Sequence, residues 1–254
     1  MKIAVIPDCQ VKPNHSYEYL GRVGRYLAEK KPDVIVNIGD FADMPSLSSY
    51  DVGKKSFEGR TYQADIEASI EAMSVLMHPI RQMQYRQSKN KKKVYNPRLV
   101  LTLGNHENRI NRAIENDRKL EGLISVDDLE YEAFGWEVHD FLDVVVIEEI
   151  AFSHYFTSGT MGRPATTANA QLNKKHMSCI AGHQQGLQIA TGYRADGRML
   201  TSIIAGSCYE HDEDYLGPQG NKHWRGLLML HNVEDGSFDL TTIPLHYLEK
   251  KYGV

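Results

Sequence analysis

Three short apolar runs, residues 2–7, 34–38 and 99–103, each break off at side chains that bind ions or phosphate rather than fill a core. The runs are rich in β-branched residues, too short for helices and bounded by polar turns, as strands of a sheet covered on both faces are. The clusters that follow them are Asp8-Cys9-Gln10, Gly39-Asp40-Phe41-Ala42-Asp43 and Gly104-Asn105-His106-Glu107. Ser153-His154-Tyr155 and Gly182-His183-Gln184-Gln185 follow further strand-like runs in the same way. In an open α/β sheet the carboxyl ends of the strands border one crevice, so clusters placed there can meet. Carboxylate and amide oxygens mixed with imidazoles are the donor set with which a divalent-metal hydrolase holds its ions and activates water.

Residues 17–29 place Leu20, Val23 and Leu27 at helical spacing between the first two runs, a βαβ unit. Residues 61–86 carry Ile66, Ile70, Met73, Met77 and Ile80 at steps of three and four, an amphipathic helix that Pro79 is expected to kink or end. Downstream, residues 144–147, 151–153, 179–181, 188–193, 200–205, 227–230 and 238–243 read as strands, separated by turns such as Asp196-Gly197 and Asp235-Gly236. Neither a low-complexity linker nor a fixed-period repeat interrupts the 254 residues, so the expectation is one domain over 1–254, two packed sheets with helices outside.

A formal charge of -4 gives no global attraction to nucleic acid, which leaves polyanion binding to a local patch or to metal ions. The one basic run, Arg86 to Lys93, precedes the strand at 99–103, whereas the ligand clusters follow strands. It is therefore expected at the opposite edge of the sheet, as a solvated turn. No apolar stretch approaches the ~20 residues of a membrane span, nor does the N-terminus carry a signal-type segment, so the expectation is a cytoplasmic protein without membrane attachment. Cys9, Cys179 and Cys208 show no paired spacing and read as small buried packing residues in a reducing compartment.

The clusters, in this order, resemble the calcineurin-like metallophosphoesterase superfamily, whose pattern is D-x-H, G-D-x-x-D, G-N-H-[DE], a lone His, and G-H-x-H. The resemblance runs from Asp8 to Gln185 and continues to the strand ending at Gly206-Ser207. It implies an α/β fold of four layers, α/β/β/α, with two mixed sheets flanked by helices. Asp40 would bridge two divalent ions; Asn105, His154 and His183 would complete the second, and Asp8 would bind the first. His106 would bind no metal and would protonate the leaving group as general acid, with Asp43 orienting it through its other ring nitrogen. Metal-bound hydroxide would attack phosphorus in line.

Two positions depart from the pattern. Gln10 stands for the His of D-x-H and Gln185 for the second His of G-H-x-H, and in the family both serve the first ion. A glutamine carbonyl is a neutral, hard oxygen ligand, so this site should bind more weakly and prefer hard cations. The expected cofactor is up to two divalent ions: manganese first, magnesium, iron or zinc as alternatives, with the Asp8/Gln10/Gln185 site the weaker.

Substrate clues are fewer. Arg109 falls in the first turn of a helix expected near Glu107, where it meets either phosphate or a neighbouring acid. Residues 155–164 leave the His154 strand, with Tyr155 and Arg163 offered to substrate by a lid or carried by a plain connector. Tyr155, Phe156, His223 and Trp224 either stack a base or fill the core. Met44 occupies the place where protein phosphatases of the superfamily carry Arg, which points away from phosphoproteins. Nuclease members usually add a capping domain, for which this chain offers little room. The expectation is a compact phosphodiesterase acting on nucleotides or nucleic acid ends. A phosphomonoesterase and, from another class, a weakly active or inactive scaffold are the alternatives; oligomeric state is open.

Overall fold

The computed structural model describes residues 1–213 and 216–253. Its first sheet is ordered β11-β10-β1-β2-β3-β4. Strands β1 (Ile3–Ile6), β2 (Val34–Asn37), β3 (Arg98–Thr102) and β4 (Glu137–His139) run parallel, while β10 (Gly226–Glu234) pairs antiparallel with β1, and β11 (Ser237–Pro244) with β10. The second sheet is ordered β5-β6-β7-β9-β8. In it β6 (Ile150–Ser153), β7 (Ser178–Ala181) and β9 (Met199–Ala205) are parallel, edged by antiparallel β5 (Val145–Ile147) and β8 (Leu187–Tyr193).

The period of two along each strand builds the layers. In β1, Ile3 and Val5 face the second sheet with Val36, Phe152, Ile180 and Ile203, whereas Ala4 and Ile6 face the helices with Leu20, Met73 and Leu76. In the second sheet, Ile180 points inward and Cys179 and Ala181 outward. Helices α1 (Glu18–Lys30) and α2 (Tyr62–Lys89) pack on the first sheet; α4 (Ala168–Lys175) packs on β7, β8 and β9. The result is the expected four-layer α/β/β/α sandwich. The remaining helices are α3 (Arg109–Asn116), a single turn α5 (Gly217–Gly220), and α6 (Leu245–Tyr252) against α1.

Pro79 does not end α2, which continues ten residues further to Lys89. The lost backbone bond costs ~3 kcal/mol, but burial of Met77 and Ile80 on either side of the proline opposes that cost. Gly24 of α1 gives the closest approach here: a Cβ on it would lie 2.2 Å from the Leu76 carbonyl and 3.1 Å from the Pro79 ring. The basic run Arg86 to Lys93 forms the exposed end of α2 and the turn after it, at the edge where β3 begins. Cys9, Cys179 and Cys208 are buried free thiols.

Candidate active site

Each ligand cluster occupies the loop at the carboxyl end of its strand: Asp8 and Gln10 after β1, Asp40 after β2, Asn105 and His106 after β3, His154 after β6, His183 and Gln185 after β7. Gln10, Asp40, His183 and Gln185 all adopt positive φ, a conformation sparsely used by non-glycine residues and concentrated at functional sites. The motif glycines allow these loops to touch. A Cβ on Gly104 would lie 2.1 Å from Asp40 Oδ1, and one on Gly182 would lie 2.3 Å from Asp8 Oδ1. Glu107 locks two loops together, its buried carboxylate accepting from the backbone N–H groups of Gly104 (2.9 Å), Asp40 (3.0 Å) and Ala42 (2.9 Å). As the last residue of Gly104-Asn105-His106-Glu107 it was visible in the sequence, but its structural task was not.

The other residues converge on two half-sites. In the first, Asn105 Oδ1 lies 2.9 Å from His154 Nε2 and 2.8 Å from His183 Nδ1, and Asp40 Oδ2 lies 3.3 Å from His154 Nε2. Asp40, His154 and His183 present donor atoms within 4.8 Å of one another. His154 Nδ1 donates to the Ile38 carbonyl at 2.9 Å, which leaves the Nε2 lone pair of the neutral ring aimed at two oxygens. Lone pairs meeting without a hydrogen between them require a positive charge, a proton or a cation. The imidazole illustrates this: burial would lower its pKa, yet Asp40 outweighs burial and holds it at about 9. Conversely Asp40, which burial alone would raise, is held below the usual carboxylate range by His106 and His154. His183 is pushed down to about 4 by burial and by the neighbouring His154, and so offers a neutral ring. Donor atoms ~2.1 Å from an ion and at right angles lie about 3 Å apart, so this set fits a divalent cation.

The second half-site is built differently. Asp8 accepts from the His183 N–H at 3.1 and 3.0 Å and from Gln185 Nε2 at 3.4 Å. Gln185 therefore turns its amide nitrogen to Asp8, while its oxygen accepts from the Tyr209 hydroxyl at 2.8 Å. Gln10 Oε1 is buried without a hydrogen-bond partner, an oxygen free to meet a cation. Burial raises the Asp8 carboxyl to about 7, against the opposing pull of His154. Asp8 and Gln10 offer oxygens of the kind a hard ion takes, but Asp8 stands outside the cluster of donor atoms formed by Asp40, His154 and His183.

His106 stands at the mouth. Its Nδ1 faces Asp43 Oδ1 at 2.6 Å and the Asp43 carbonyl at 3.1 Å; its Nε2 is 3.8 Å from Asp40 Oδ2. Burial would lower its pKa, but Asp40 and Asp43 outweigh burial and raise it. Asp43 is lowered in turn, its burial overcome by the His106 hydrogen bond and charge. Arg109 is no loose surface cation. Nη1 donates to the Asp43 carbonyl at 2.7 Å and the Met44 carbonyl at 3.3 Å, and Nη2 lies 3.2 Å from His106 Nε2.

These groups line a cleft of 1210 Å³. Gln10, Asp40, Asp43, Asn105, His106, Arg109, His183 and Gln185 reach it; Asp8 and His154, fully buried behind them, do not, and neither do Tyr155 and Arg163. Tyr155 packs edge-on against Phe141 and beside His183, ring centroids 5.5 and 4.9 Å apart, while Arg163 is exposed on a loop closed by the Thr157–Pro164 bridge. Phe156 is buried beyond the second sheet, and His223 and Trp224 pack against Ser207 and Gly206 outside the cleft lining. The outer walls, from Lys12, Tyr50, Arg60, Asp65 and Glu213, carried no motif that marked them in the sequence.

The calcineurin-like phosphoesterase family matches residues 1–175. The chain belongs to that family, and it is a metal-dependent phosphoesterase, a hydrolase of phosphoric ester bonds. Residues beyond the match supply His183, Gln185 and strands β10 and β11, which complete the first sheet. No curated protein matches the chain. Among solved structures it is similar to YfcE, a phosphoesterase from E. coli, at 13% identity and a TM-score of 0.39, over 96% of this chain and 100% of that one. Among the described residues, no helix is long and apolar enough to cross a membrane.

Proposed function

We propose that the protein is a phosphodiesterase acting on nucleotide-type diesters in the cytoplasm, with residues 1–254 working as one domain. The observation that carries the hydrolytic reading is the pairing of a cation-shaped donor set with the His106–Asp43 dyad at the mouth of the same cleft. A scaffold has no use for an imidazole whose proton is held ready over a cation site. The pairing of β10 with β1 ties the C-terminal strands to the first sheet, and three free buried thiols suit a reducing compartment.

Asp40, Asn105, His154 and His183 would hold one divalent ion; Asp8, Asp40 and Gln10 would hold a second, weaker one, with Gln185 joining if its amide turns. Their hard oxygen donors favour manganese, then magnesium, over zinc or iron. Such ions supply positive charge to the phosphoryl oxygens and a nucleophile at neutral pH. His106 does the rest of the proton work. Asp43 fixes Nδ1–H, so the transferable proton resides at Nε2, facing the cleft. Protonation there displaces the Arg109 contact and frees one guanidinium arm for a phosphate oxygen. The proton then passes to the departing alkoxide, a service worth ~10²–10⁴-fold.

Diester preference rests on space: a cleft of 1210 Å³ has room for two ester groups. Turnover of bis-p-nitrophenyl phosphate beside p-nitrophenyl phosphate, with manganese, tests it. Faster diester cleavage is the expected result. Monoester preference would reassign the protein as a phosphomonoesterase, and no turnover with several metals would leave the scaffold.

A further inference from the structure

Helix α3 borders a second pocket beside the cleft, of about 240 Å³, framed on its other side by the loop that carries Tyr50, Val52 and Phe57. Ser48, Tyr50 and Arg109 line both spaces, so the two are contiguous. Arg109 is the partition: its Nη2 lies 3.2 Å from His106 Nε2, and its Nη1 is held by the Asp43 and Met44 carbonyls. The pocket therefore opens on the side where His106 meets the leaving group. Arg112 stands three residues further along α3 and on the same side of the helix, a spacing that puts Cβ atoms ~5–6 Å apart. It lines the pocket, and among the described residues its guanidinium has no carboxylate, carbonyl or ring partner. No described carboxylate lines the pocket either. Tyr50 is 80% and Val52 70% exposed, and among the described residues the Tyr50 ring packs on no other ring. An unpaired planar cation and an uncovered aromatic face beside a reacting centre are the two halves of a nucleotide site. The first grips phosphate through two N–H groups, and the second stacks a base.

Resting on the diesterase reading above, we propose that this pocket receives a second phosphate of the substrate, carried on the leaving alcohol and gripped by Arg112, while the adjoining base stacks on Tyr50. The alcohol released is then a phosphorylated nucleoside. The substrate class is a short oligonucleotide or a strand end, not a diester of uncharged alcohols. Arg112 supplies the charge, since Arg109 is already engaged by the Asp43 carboxylate at 3.4 Å and by the two carbonyls. Hydrolysis adds water across one P–O bond: oxygen goes to the scissile phosphorus, and the proton held by His106 goes to the departing alkoxide. The second phosphate is not cleaved; it fixes the leaving nucleoside in place.

The full chain with manganese is assayed on thymidylyl-thymidine and on its 5′-phosphorylated and 3′-phosphorylated forms, with bis-p-nitrophenyl phosphate alongside. The form whose phosphate lies on the leaving nucleoside should exceed the unphosphorylated dinucleotide in kcat/KM by about tenfold at low salt, the advantage shrinking as ionic strength rises. Arg112→Ala should bring that ratio close to one, and Arg112→Lys, which keeps the charge but not the fork, should retain part of it. Tyr50→Ala should raise KM for the dinucleotides by about tenfold. A ratio measured within one variant does not depend on how much of that variant is folded. If neither phosphorylated form exceeds the plain dinucleotide while the bis-ester is hydrolysed, or if the advantage survives Arg112→Ala, the subsite is overturned and the diesterase reading stands. If the bis-ester resists cleavage, the diesterase reading fails separately. Calorimetric binding of the three dinucleotides then decides the subsite: equal affinities, or a preference kept in Arg112→Ala, overturn it.

Discussion

The half-site around Asn105 and the half-site around Asp8 are both built at strand ends yet differ in how their atoms are held. Around Asn105, lone pairs converge within hydrogen-bond distance and one imidazole is oriented from behind by the Ile38 carbonyl, so a cation has only to replace a proton. Around Asp8, the carboxylate is satisfied by a backbone N–H and by the Gln185 amide, and a cation must displace those bonds. The difference teaches that glutamines in place of imidazoles leave a carboxylate partly closed by its own hydrogen bonds, where the other half-site leaves its donor atoms facing one another.

The largest effect separates proton donor from ligand. His106→Ala should lower kcat by ~10²–10⁴-fold while metal content, measured by elemental analysis, stays unchanged; His183→Ala should lower metal content. The reverse pattern would dissolve the distinction between dyad and cradle. A smaller effect addresses the two half-sites directly. Gln10→His combined with Gln185→His should raise bound manganese or zinc from about one towards two per chain, since imidazole binds first-row ions more firmly than an amide oxygen. A native stoichiometry already at two would show the half-sites to be equivalent.

The smallest is a stability change with pH in chelator-treated protein. Asp8 moves from 3.8 to about 7, and His154 from 6.5 to about 9, so each favours the folded state while protonated. Their contributions are complete below the ordinary values and are lost as pH rises through the folded ones. His183 and Asp40 shift downward, and their contributions are already complete above 6.5 and 3.8 respectively. Between pH 7 and 9 the metal-free melting temperature should therefore fall. Manganese should flatten the fall, because the ion takes the place of the protons. A melting temperature that rises across this window without metal would contradict the hold of Asp40 on the His154 imidazole described here.

Much of the frame was legible because it is periodic or local. The apolar runs at 2–7, 34–38 and 99–103 became β1, β2 and β3 within a residue or two, and the helix at 17–29 became α1. The short β4, α4 and α6 carry weak patterns and form where a sheet edge or face remains to be covered, so tertiary packing rather than local sequence defines them. At Pro79, too, local propensity yielded to burial on either side of it, and the helix runs on to Lys89.

By itself the chain determined which chemistries meet: oxygen and imidazole donors follow strands, and strand ends in such a sheet share one crevice. Only the tertiary structure decided how each donor is turned. Whether Gln185 shows oxygen or nitrogen to Asp8 depends on Tyr209, whether Arg109 is free depends on the Asp43 and Met44 carbonyls, and what lines the outer cleft depends on segments distant in sequence. Residue type and spacing set the inventory of donors; orientation comes from neighbours that the fold brings from elsewhere in the chain.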